Sequence, residues 1–151
     1  MDISTYRLIM PLPPKYGRDR LYFALMPDFV SGLSDEELIA AFDPLFCRPP
    51  VPVRTEAYTG KNKPWKLQAT GISHDCTELN LLHHRAYACV AEIRARPMKQ
   101  HLCGEHFDPF IAVRDGIRCP VNVEFACDRV VLTEFGSTFS WKDPVKTWHL
   151  R

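Results

Sequence analysis

A chain of 151 residues, 46% hydrophobic and 25% charged, buries about two-thirds of its unfolded surface as one domain, so folding requires neither disulfides nor a metal. Its 19 basic and 18 acidic residues leave a formal charge of +1, which excludes a bulk field that drives it onto nucleic acid or a membrane; any polyanion must be gripped by a local patch. The opening MDISTYRLIMPLPP lacks the charged start and apolar run of a signal peptide, and no stretch approaches the roughly 18 apolar residues of a membrane span, so a cytoplasmic protein with no membrane partner is expected.

Residues 5–12 and 20–26 are apolar and aromatic runs separated by a segment rich in Pro, Lys, Gly and Arg, and read as two strands joined by a basic loop. Ser34 and Glu37 form a capping box that predicts a helix over 35–46, with Leu38, Ala41, Phe42 and Leu45 turned to a sheet. Pro49, Pro50 and Pro52 exclude helix and confine a strand here to an edge or to a late start over 53–58. The following turn carries Lys61 and Lys63. Residues 65–72 then alternate as a strand, with Trp65, Leu67, Ala69 and Gly71 on one face and Lys66, Gln68, Thr70 and Ile72 on the other.

Asp75 and Glu78 repeat the capping signal ahead of Leu79, Leu82, Ala86, Cys89 or Val90, and Ile93, a stripe that predicts a helix over 75–96 stopped by Pro97. His83 and His84 fall beside the stripe, where surface or boundary positions are expected. A basic loop with Arg94, Arg96 and Lys99 leads to residues 104–113, GEHFDPFIAV, read as a central strand emerging from a functionalised turn. An Arg114-Asp115-Gly116 turn precedes strands over 117–125 and 129–135 and two short aromatic strands ending at Trp141 and Trp148. The order of strands, helix, strands, helix, strands without an internal repeat is α+β: one domain over 1–151, built as two β-rich lobes of about 1–73 and 74–151. Six cysteines without a CxxC pair read as reduced, mostly buried thiols.

RLYFALMPD, the Ser34 helix, KLQATGI ahead of the second helix, FDPFIAV, and DRVVLTEF with a closing WHL together resemble the LigT-like, or 2H, phosphoesterases. The resemblance implies a bilobal fold with two antiparallel sheets facing a central groove and two main helices outside. It also implies two histidines, one from each lobe, each partnered two residues later by Thr or Ser and acting as acid and base on a 2′,3′-cyclic phosphate or related phosphodiester. With FDPFIAV on the second motif, Phe110 takes the histidine position and Ala112 the Thr position, and residues 1–73 contain no histidine. A site drawing one histidine from each half cannot then be built, and each such group ordinarily contributes about 10² to 10⁴ in rate.

The basic set Arg54, Lys61, Lys63 and Lys66, interleaved with Tyr58 and Trp65, has the make-up of a surface that neutralises phosphates and stacks bases, or of a solvated hairpin. His106 and Phe110 complete the expected ligand-binding set. His106 with Asp108, or His101, could instead supply relocated acid-base chemistry. His101, Cys103, His106 and Cys119 do not follow a usual metal-ligand spacing, so no metal and no cofactor are expected. The reading that follows is a non-catalytic binding module for a phosphorylated ligand, whether nucleotide, cyclic oligonucleotide or single-stranded RNA, which would suit sequestration of a signalling nucleotide. The alternatives are a phosphodiester hydrolase using the relocated groups and a structural subunit.

Overall fold

The apolar run that opens the chain becomes the middle of its larger sheet. In the computed structural model, which describes residues 3–16, 21–58, 69–135 and 144–151, β1 (Ser4–Pro11) pairs on one side with β2 (Tyr22–Ser31) and on the other with β8 (Arg129–Glu134). β5 (Arg96–Pro97) extends this sheet beyond β2, and β9 (Lys146–His149) beyond β8. The second sheet runs in the order β6 (Phe110–Ile111), β4 (Thr70–Ile72), β3 (Val51–Ala57), β7 (Glu124–Cys127). Every pairing is antiparallel, and each sheet takes strands from both sides of residue 73.

In chain order α1 (Asp35–Phe42) follows β2 and α2 (Thr77–Glu92) follows β4. The capping box forms as expected: the Glu37 amide donates to Ser34 Oγ and the Ser34 amide to Glu37 Oε1, each at 3.2 Å. The helix ends at Phe42 rather than Phe46 because Pro44 has no amide to donate, and Asp43–Phe46 continues as a tighter 3-10 turn that still buries Phe46. The Asp43 carboxylate then accepts the Trp148 indole N–H at 2.6 Å, tying this turn to β9.

In α2 the apolar stripe is as read from the sequence through Val90, with Leu79, Leu82, Ala86, Cys89 and Val90 buried, while Ile93 falls at the C-cap and is half-buried. Its ends differ. Asp75 does not cap it: the N-cap is Cys76, and the Asp75 carboxylate is taken by Ser73 Oγ and the Arg54 guanidinium at 2.6 Å each. The helix stops at Glu92, ahead of Pro97, because Arg94 turns left-handed at φ 57 and Ala95 N–H closes on the Val90 carbonyl at 3.0 Å. His83, expected at the surface or at the boundary, is fully buried.

Two strand expectations are also corrected. Residues 104–113 are not a central strand: Gly104–His106 is a 3-10 turn, and only Phe110–Ile111 pairs, at the edge of the smaller sheet, once Pro109 has passed. Residues 117–125 are not one strand: Ile117 only bridges Arg114 across a turn, and the regular strand starts at Glu124. β3 starts before the prolines end, yet Pro52 is opposite Ala126 of β7 while β4 flanks only Thr55–Ala57, so Pro52 occupies a locally unpaired edge where a missing donor costs nothing. No described helix is long and apolar enough to cross a membrane.

Leu82 has no exposed surface, so Leu82→Ala should destabilise the fold by about 2 to 5 kcal/mol in urea titration. A loss under about 1 kcal/mol would mean that the α2 face is loosely packed.

Candidate functional site

Where the two sheets approach one another, Tyr22, Phe23 and Ala24 of β2 form one wall of a cavity and Phe107, Asp108, Pro109, Phe110 and Ala112 the other. Its enclosed volume is about 120 Å³, below the roughly 300 to 1,000 Å³ of sites that bury a whole small molecule, so a larger ligand would extend out of its open mouth. Three cationic side chains reach it, Arg7, Lys99 and Arg114, together with the carboxylates of Asp28 and Asp108.

Arg7 Nε donates to Asp28 at 2.5 Å, and its guanidinium lies 4.9 Å from the centre of the Phe135 ring. Arg114 is projected by a tight turn in which Asp115 and Gly116 both have positive φ, and its backbone bridges Ile117. The guanidinium stacks 4.3 Å over the Tyr22 ring and donates to the Tyr22 hydroxyl. Its Nε is buried with no hydrogen-bond partner among the described residues. A buried guanidinium N–H left without an acceptor ordinarily costs about 1 to 3 kcal/mol.

At the rim, Asp108 is the hub. One of its oxygens is 3.0 Å from His74 Nε2, and the other accepts the Tyr58 hydroxyl at 3.1 Å. Tyr58 in turn packs on Phe110 with ring centroids 5.2 Å apart. His74 is held by its backbone as well, since its carbonyl accepts Asn80 Nδ2 at 2.8 Å from the first turn of α2. The carboxylate thus joins the end of β4, the end of β3 and the approach to β6.

Behind the wall sits His83. Its Nδ1–H donates to the Leu25 carbonyl at 2.7 Å, its Nε2 accepts the Gly104 N–H at 2.9 Å, and its ring stacks on Phe107 at 3.8 Å with planes 5° apart. The two partners fix the neutral Nδ1–H tautomer, and burial pushes the imidazole down to about 4.

Of the residues singled out from sequence, Phe110 lines the cavity, and Tyr58 supports it through Phe110 and Asp108. Arg54 is placed elsewhere, on a trough beside the start of α2 with Asp75 and Glu78, its guanidinium engaged by Ser73 and Asp75. That hydrogen bond from Ser73 and the Arg54 charge hold the Asp75 carboxyl below the usual range. His101 and His106 are exposed on successive 3-10 turns, and Asp108 bonds His74 rather than either of them. Lys61, Lys63, Trp65 and Lys66 lie outside the described residues. Among the described residues no three candidate ligands gather as a metal site. Cys103, between the two histidines, is buried with its thiol on the Lys99 carbonyl and pushed up to about 11. Arg7, Tyr22 and His74 were missed, although an arginine inside an apolar strand and a histidine at the end of one were visible signals.

No family model matches the chain, and no curated protein does. Solved structures do: the fold superposes on E. coli LigT complexed with ATP at TM-score 0.58 and 12% identity, covering 99% of both chains. LigT complexed with 3′-AMP gives 0.57 and 16% over 99% of each. A protein of Thermus thermophilus, TT0787, gives 0.55 and 14% over 97% of this chain and 98% of that one. The chain therefore has the α+β fold of the LigT-like 2H phosphoesterases, with two antiparallel sheets and two main helices.

The buried histidine has a measurable consequence. Folded His83 refuses a proton until about pH 4, whereas the unfolded side chain accepts one from 6.5. The stability it contributes is complete above 6.5 and falls as pH drops toward 4, by about 2 kcal/mol between pH 7 and 5. Urea midpoints of the parent should fall across that window and those of His83→Gln should stay nearly flat. Parallel profiles would show that His83 is solvated.

Proposed function

Taking the 2H phosphoesterase fold as the frame, we propose that the cavity between the sheets binds a phosphorylated ligand, a nucleotide, cyclic oligonucleotide or single-stranded RNA end, and holds it without the paired histidine acid and base. The observation that carries this reading is the Arg114 guanidinium, with a buried Nε that lacks an acceptor, beside Lys99 and Arg7 in one cavity. Guanidinium and ammonium groups bind phosphate oxygens strongly, and affinity for phosphate needs no proton transfer. Phe110 and Ala112 face the same space, placing apolar surface against a base where the fold's resemblance would put histidine and threonine. That LigT has been crystallised with ATP and with 3′-AMP supports a nucleotide-sized ligand for this fold. Lys61, Lys63 and Lys66 with Trp65 are proposed to extend the phosphate and stacking surface. Sequestration of a signalling nucleotide, in the cytoplasm, is the role we assign to such a module.

One observation favours a second reading, hydrolysis by relocated groups. Asp108 orients a histidine at the cavity rim, and the histidine is His74, with Nε2 on the carboxylate and the ring otherwise exposed. A base held by a carboxylate is the arrangement proton transfer requires. His106 and His101 remain the other candidates for that role.

Calorimetry with ATP and 3′-AMP, paired with chromatography of the products, separates the readings. Binding without product is expected, and Arg114→Gln should weaken it by about tenfold or more, the worth of a charged hydrogen bond. Phe110→Ala should cost about 1 to 3 kcal/mol of binding with little change in salt dependence. Product that disappears in His74→Ala would favour the hydrolase, and equal affinity in folded Arg114→Gln would refute the proposed phosphate contact.

A further inference from the structure

Residues 99–107 supply Lys99, Leu102 and Phe107 to the cavity and lead directly into Asp108. At one end Met98 N–H is fixed to the Asp28 carbonyl, and at the other the Pro109 carbonyl accepts Ile72 N–H. Between these anchors, the hydrogen bonds of Leu102, Cys103, His106 and Phe107 go to Lys99, Gln100, Cys103 and Gly104, so they shape the loop without attaching it to anything. Asp108, next after the loop, is held separately by His74 and Tyr58, while the Gly104 N–H does leave the loop, for His83 Nε2. Gly104 can offer it because φ is +66, and a Cβ there would meet the Tyr87 ring at 3.4 Å.

The same imidazole donates to the Leu25 carbonyl, whose chain neighbour Ala24 lines the opposite wall, and it carries Phe107 on its face. We propose that His83 is the positioning residue of the groove: by bonding β2 at Leu25 and the loop at Gly104, it sets the spacing of the two walls and holds Lys99 and Phe107 toward the ligand. This rests on the reading of the cavity as a phosphorylated-ligand site. His83 itself is sealed away and touches no ligand. Its effect is to order a loop before binding, which removes that ordering cost from the affinity.

Two variants separate the bonds. His83→Gln places an amide oxygen near the Nε2 position, able to accept the Gly104 N–H, while giving up the Leu25 bond. His83→Asn keeps a donor near Nδ1 for Leu25 and loses Gly104. With ATP and 3′-AMP as calorimetric probes, the Asn variant should lose about tenfold in affinity and the Gln variant less than about threefold, at temperatures where melting curves show both folded. A merely structural histidine would lower the melting temperature of both and leave the folded protein's affinity at the parental value, and that result overturns the proposal. Amide hydrogen exchange gives a readout independent of any ligand. The Gly104 amide should be protected in the parent and in His83→Gln but not in His83→Asn. Rapid exchange at Gly104 in the parent, or protection retained in the Asn variant, also overturns it. If the parent binds neither probe, the phosphate reading fails on its own account, and exchange at Gly104 still decides the tether.

Discussion

A neutral imidazole buried in an apolar core is tolerable only when both nitrogens are satisfied, and in His83 this requirement fixes three elements at once. The ring is rigid and its nitrogens point in different directions, so α2 must present it at the one rotation that reaches both Leu25 and Gly104. Leu79, Leu82, Ala86 and Val90 bury themselves at that same rotation. Apolar packing alone would allow small slips of a helix along a sheet; a doubly bonded polar group does not, because a slip leaves a buried donor or acceptor unmet. Phe107 stacked on the ring carries the constraint into the loop.

The walls that this histidine joins are themselves assembled from distant chain. β1 meets β8 with Tyr6 opposite Glu134 and Ile9 opposite Val131, and β3 meets both β4 and β7. Neither sheet can close from one half of the sequence, so the cavity is absent until long loops have been closed at their entropic cost. Arg7 shows the result in miniature: it stands on β1, its carboxylate partner Asp28 is on β2, and Phe135 under its guanidinium follows β8.

That distinction accounts for what the sequence revealed. The Ser34 to Glu37 capping box and the α2 stripe are local patterns, and both are present as read, the stripe through Val90. Asp75 and Glu78 had the same spacing and failed, because Arg54, 21 residues upstream, competes for the Asp75 carboxylate together with Ser73. His83 looked marginal on a helical wheel since its bonds reach a residue 58 positions away and another 21 away. Asp108 was noticed beside His106, its neighbour in sequence, but its partners His74 and Tyr58 lie 34 and 50 residues off. The fold's outline was carried by patterns that many separate segments repeat. The site was carried by single residues whose meaning depends on which strand lies beside which.

The charge pattern inside the cavity follows from those pairings. Asp28 offsets Arg7 at 2.5 Å, and Asp108 is shared between a histidine and a tyrosine at the rim. Both carboxylates are thus engaged by protein donors, while the buried Arg114 Nε is not met by any described acceptor. On the proposed reading, a phosphate group would engage the Arg114 and Tyr22 side, and an aromatic portion of the same molecule would engage Phe107 and Phe110. With a cationic contact at one end and aromatic contacts at the other, the proposed site would orient an amphiphilic phosphate ester in one direction, whereas a bare inorganic ion would use only half of it. Specificity would then come from the spacing between Arg114 and the two phenylalanines, a distance that no single strand determines and that depends on how the two sheets are held together.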